Sequence, residues 1–172
     1  MSRRFEVRYM KKISFVILLF CCLAAGAQTI PNIKSIKLEN PADFRAAQPF
    51  VLQAANYLLL TPYDASNKER KEAIMFLVNW LKGTPDFSFS IESAVAKIGK
   101  GDEDAVSMYV VAACKTAIDD KTTVGNRELL KLNAIKTLLA YAENPANNFK
   151  MKKQLKKLSD ANKSGELTKA LE

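Results

Sequence analysis

Residues 101–120, GDEDAVSMYVVAACKTAIDD, decide how the rest of this chain must fold. Asp102 is placed to cap a helix, and Glu103 and Asp104 fall in its first turn, where negative charge suits the helix dipole. From Met108 to Cys114 the residues are apolar without a break. A helix that is apolar around its whole circumference has to be surrounded by other helices. The sequence on either side supplies them.

Toward the N-terminus, ENPAD (39–43) offers Asn40 as a cap, Pro41 at the first helical position and Asp43 in the first turn. Pro49 ends that short piece and opens a second helix, PFVLQAANYLLL, which Thr61-Pro62 stops. In SNKERKEAIMFLVNWLKG, Ser66 and Glu69 have capping-box spacing. Ala73, Ile74, Phe76, Leu77, Trp80 and Leu81 recur at helical intervals, and Gly83 is placed as the C-cap. FSFSI (87–91) alternates like a strand with nothing to pair with, so it reads as an extended linker before a short helix at ESAVAKIG. Beyond the central segment, Asn126 caps RELLKLNAIKTLLAYA. ENPAN (143–147) then repeats the capping phrase of residues 39–43, with Asn144 as cap. NFKMKKQLKKL and, after Gly165, GELTKALE complete the series. The fold class is therefore all-α: an irregular bundle of about six helices around a central apolar helix at about 102–119.

The N-terminus reads differently. Arg3, Arg4, Arg8, Lys11 and Lys12 precede the apolar run Ile13–Ala25, and Ala25-Gly26-Ala27 supplies small residues for cleavage. This is the pattern of a secretory signal peptide at 1–27; the run stops short of the roughly 20 apolar residues of a spanning helix. A second ordinary start stands at Met10. Phe20 before Cys21 lacks the small residue of a lipidation site. Residues 28–39 read as a flexible arm, and 40–172 as a single helical domain. The expected location is periplasmic or secreted, after cleavage near Ala27.

Cleavage changes the electrostatics. The chain has 26 basic and 18 acidic residues, a formal charge of +8, and the leader holds five of the former and one of the latter. The remaining charge of +4 does not call for nucleic acid as a partner. Cys21 and Cys22 leave with the leader, so Cys114 has no partner for an internal disulfide. Its apolar surroundings predict a buried, inert thiol.

Chemistry is bounded by what is missing. The chain has no histidine, which excludes Ser-His, Cys-His and His-ligated metal sites and the usual base near neutral pH. GKGDED (99–104) puts acids where a phosphate loop needs amides and a lysine. The acids at 102–104 and at 119–120 sit about 25 Å apart along one helix, too far to act together on one glycosidic bond. Asp119, Asp120 and Lys121 read as a solvated loop. Ser93 and Lys97 stand four apart, an ordinary surface spacing. No catalytic residue, metal site or cofactor is expected.

Two clusters could bind a partner. FKMKKQLKKL (149–158) holds Lys150, Lys152, Lys153, Lys156 and Lys157 and no acid, with Met151, Leu155 and Leu158 on one stripe. That makes a basic amphipathic helix, suited to an acidic envelope protein or an anionic membrane surface, or else a bundle helix with a solvated lysine face. Tyr63, Trp80, Phe87 and Phe89 flank the WLKGTPDFSF turn, where aromatics can line a groove or close the end of a bundle.

The succession of MKKISFVILLF, a start at QTIP, and VNWLKGTPDFSF ahead of a helical remainder resembles small exported proteins of unknown function from Bacteroidota. That likeness implies export and a helical fold, and it carries no activity or site residues. The sequence thus reads as an exported, non-catalytic binding module of the envelope. The alternatives are a peripheral membrane or lipid-binding protein using 149–158, a carrier with an apolar cavity, and an enzyme running on carboxylates or lysine.

Overall fold

The computed structural model describes Ile30, residues 32–99 and residues 101–172. The expected leader, residues 1–27, lies outside the described residues. Within them there are eight α-helices and no strand: α1 Pro41–Ala46, α2 Gln48–Leu60, α3 Lys68–Gly83, α4 Ile91–Ile98, α5 Glu103–Asp119, α6 Arg127–Glu143, α7 Lys153–Lys163 and α8 Leu167–Leu171. Single 3-10 turns at Lys121–Thr123 and Pro145–Asn147 precede α6 and follow it. None of these helices is long and apolar enough to cross a membrane.

The all-α bundle around a central helix is what the structure has. α5 packs against α2, α3, α4 and α6, and ten of its 17 residues are buried, including the unbroken run Met108–Cys114. Asp102 Oδ1 accepts from the Ala105 amide at 3.4 Å to start the helix. Alanines at 105, 112, 113 and 117 present little bulk, so neighbouring helices approach closely. Leu58, Leu77, Leu138 and Leu139, all fully buried, fill the surrounding space from α2, α3 and α6. Each such side chain contributes roughly 1.5–3 kcal/mol by leaving water.

Several ends differ from the sequence reading. Asn40 forms its capping box with Asp43 as expected. Ser66 does not cap α3: its amide and hydroxyl both bond to Asp64 Oδ1, and Asn67 takes the role by accepting from Arg70 N at 3.0 Å. Pro49 is the second residue of α2 rather than the first. Gly83 closes α3 from inside, with Thr84 as C-cap. A Cβ on Gly83 would lie 2.1 Å from Phe44 Cζ, so glycine is what lets α1 lie over this end of α3.

The C-terminal acids of α5 face solvent, as expected of them, but Asp119 is the last residue of the helix and both acids are engaged. Asp119 pairs with Lys115 one turn back at 2.5 Å. Asp120 accepts from the Thr122 amide and hydroxyl and from Asn133 Nδ2 of α6, so it stitches the α5–α6 connection. The hydroxyl and amide of Thr122 hold its carboxyl below the ordinary range.

The largest departure concerns residues 144–152. Asn144 caps a single 3-10 turn, not a helix. Asn147 turns its side chain inward to Tyr141 O at 2.8 Å, and Asn148 takes a left-handed φ of 51° that breaks the turn. The basic helix consequently begins at Lys153, not 149. Phe149 is drawn instead onto the rings of Tyr63 and Tyr141, at 5.1 and 5.9 Å. Residues 32–39, expected as an arm, run without regular structure, and Ile33, Ile36 and Leu38 rest half-buried on the core.

Candidate functional site

All five lysines of the basic segment are exposed, and they fall into two groups. Lys152 turns inward: its Nζ donates to Gly101 O at 3.0 Å and lies 3.5 Å from the buried Asp102 carboxylate. It ties the stretch before α7 to the N-terminus of α5. Lys150, Lys153, Lys156 and Lys157 have no ion-pair partner among the described residues. Leu155 and Leu158 are buried in the core. The apolar stripe of α7 is therefore used inside the bundle, and the helix shows the solvent an edge of charge. Asp160 is the nearest acid further along that helix, and Lys163 is engaged with Glu143 at 3.5 Å.

The four aromatics do not come together as one groove. Trp80, Phe87 and Phe89 form a triangle with ring centroids 5.7 to 6.4 Å apart. Trp80 is fully buried and its Nε1 donates to Phe44 O at 2.9 Å, so this cluster closes the bundle's end. Tyr63 lies elsewhere, its hydroxyl donating to Asp104 Oδ1 at 2.5 Å. Burial, reinforced by that bond, pushes the phenol well above its ordinary range.

Tyr63 belongs to a cluster that the sequence reading missed. Arg70, 2% exposed, places its guanidinium 5.4 Å from the Tyr63 ring centre. It donates to Leu58 O from both Nη atoms at 3.3 Å, to Thr61 Oγ1 at 2.8 Å and to the Tyr141 hydroxyl at 3.5 Å. Pro62 has no N–H to offer Leu58, four residues earlier, so Arg70 satisfies the carbonyl that proline leaves open. Its position was a signal, because Arg70 precedes Ala73, Leu77 and Trp80 on the same buried stripe. The group is structural: every guanidinium contact is to a carbonyl, a hydroxyl, a thioether or a ring.

A second missed feature is concave. Residues 33–38 stand off the outer face of α3 and leave a groove of about 600 Å³. Its walls are Ile33, Ile36 and Leu38 on one side and Met75 and Phe76 on the other; Lys34, Lys71, Glu72 and Asn79 form the rim. A smaller recess of about 340 Å³ lies between α6 and α8, where the buried Lys131 amine is held by Glu128 Oε2 at 2.5 Å and Leu171 O at 3.4 Å.

Reactive groups are committed to the fold. Cys114 is fully buried, its thiol pushed up by that burial and directed at Leu77 O. The Ser93 hydroxyl donates to Ser90 O at 3.2 Å. Among the described residues no three acids or thiols converge as a metal site would require. No family model, no curated protein and no solved structure matches this chain.

Proposed function

We propose that the protein is an exported, non-catalytic binding module of the bacterial envelope that meets an acidic partner protein along the lysine edge of α7. The observation carrying this reading is that Lys153, Lys156 and Lys157 stand exposed on α7, with Lys150 just ahead of it, none with an ion-pair partner among the described residues, while the apolar side of the helix is anchored in the core. A pre-ordered row of like charges steers an oppositely charged surface and fixes its register. Insertion into a bilayer is disfavoured, because Leu155 and Leu158 would have to leave the core to reach lipid. Four lysines near an anionic membrane gain about 1 kcal/mol each, which corresponds to millimolar binding. Catalysis is disfavoured by the absence of histidine and the sealing of Cys114.

The test is chemical cross-linking in intact envelopes, comparing wild type with the variant carrying K150Q, K153Q, K156Q and K157Q. One discrete adduct, weakened by salt and lost in the variant, supports the reading. An adduct that survives all four substitutions refutes it, as does lysine-dependent sedimentation with anionic vesicles in the absence of any protein adduct.

A further inference from the structure

The groove beside α3 is not accounted for by folding. Met75 stays 57% exposed while Ile36 and Leu38 line the facing wall. Its volume of about 600 Å³ falls in the roughly 300–1,000 Å³ range of small-ligand sites. Lys71, Met75 and Asn79 are spaced four apart, so they form one row about 12 Å long with a cation at one end, an amide at the other and an apolar side chain between. The rim charges are unevenly committed. Lys34 and Glu72 pair with each other at 3.2 Å, whereas Lys71 has no ion-pair partner among the described residues.

We propose that this groove binds a single-chain amphiphile with an anionic head, its hydrocarbon lying on Ile36, Leu38 and Met75 and its head at Lys71. The polarity of the lining favours such a molecule over an extended peptide. A peptide brings an N–H and a C=O with every residue, each costing about 1–3 kcal/mol if buried unpaired. Apart from the charged rim, the lining side chains offer the Asn79 amide alone. A hydrocarbon chain needs no such partners, and its one charge meets Lys71, the rim cation with no ion-pair partner among the described residues. This site is separate from the lysine edge and does not depend on it.

Titration calorimetry with laurate and with uncharged decanol tests the assignment, using the protein as recovered from cells that make it. Wild type is expected to bind one laurate saturably. Lys71→Gln should weaken laurate about tenfold, the loss of roughly 1.4 kcal/mol of charge-assisted bonding, and leave decanol within twofold. Met75→Asp should abolish both. Each side chain is exposed, and unchanged melting temperatures will show that the fold is intact. Absence of saturable laurate binding overturns the proposal, as does binding indifferent to both substitutions. A dimer that Met75→Asp converts to monomer, without laurate binding, would make the groove a face between copies and equally overturn it.

Discussion

Replacing Arg70 with methionine tests whether a buried guanidinium can act as the end-stop of a proline-interrupted helix. The substitution keeps most of the apolar stem and removes the donors. Leu58 O then has no partner, since Pro62 cannot supply one, and an orphaned buried carbonyl costs about 1–3 kcal/mol. Thr61 Oγ1 loses its 2.8 Å bond. The interaction with the Tyr63 ring, about 0.5–2 kcal/mol, goes as well. Against these stands relief from burying a charge that has no carboxylate partner. The net expectation is a loss of about 2–4 kcal/mol. At roughly 3 °C per kcal/mol for a chain of this size, the melting temperature should fall by about 6–12 °C. Urea unfolding followed by far-ultraviolet circular dichroism reads the same quantity. Arg70→Lys should recover little of it, because one ammonium cannot span Leu58 O, Thr61 Oγ1 and Tyr141 as the planar fork does. A methionine variant within about 0.5 kcal/mol of wild type would refute the reasoning.

Other positions give independent checks. The Tyr109 hydroxyl is buried without a hydrogen-bond partner, so Tyr109→Phe should leave stability unchanged or raise it by about 1 kcal/mol in urea unfolding; a clear loss would mean that the hydroxyl has a partner after all. Burial raises the pKa values of Tyr63, Tyr109, Tyr141 and Cys114. Their neutral forms therefore support the fold fully below the ordinary values of 9.0 for cysteine and 10.0 for tyrosine, and that support is lost as pH rises. The urea midpoint should decline steadily above about pH 9; a flat profile to pH 11 contradicts the assignment. A thiol reagent should modify Cys114 no faster than the protein unfolds, and rapid labelling of folded protein would place the thiol at the surface. Asp102→Ala should cost about 1–2 kcal/mol through loss of the α5 cap. Asp102→Asn, which keeps an acceptor, should cost less, and equal losses would assign the effect to the Lys152 pair.

The parts of the fold that were legible share one physical basis, namely local patterns that tertiary packing does not overrule. The unbroken apolar run Met108–Cys114 requires enclosure whatever the neighbours are, and caps at Asn40, Asp102 and Asn126 follow from their own side chains. Where two local solutions compete, the sequence left the outcome open. Ser66 and Asn67 are both good caps, and Asp64 decides between them by engaging Ser66. The two ENPA phrases are identical, yet one starts a helix and the other a single turn, because Asn147 bonds back to Tyr141 O and Phe149 is captured by Tyr63, far away in sequence. The same long-range capture hid the site. Tyr63 is near Trp80 in the chain but packs on Phe149, 86 positions later. The groove was invisible because it exists between an irregular segment and a helix, and no periodicity encodes that separation. The lysine edge was readable as composition; its split into one tethered lysine and four with no ion-pair partner among the described residues was not.

The enclosure of α5 draws on helices from both sides of it in the chain: α2, α3 and α4 come before, and α6 comes after. A polypeptide emerging from its N-terminus thus has no sealed interior until residue 143 or so has been made. Until then the side of α5 that α6 covers stays open, attractive to holding factors, and the chain cannot lock into a finished globule. A product truncated before α6 would remain permanently open and become a substrate for degradation.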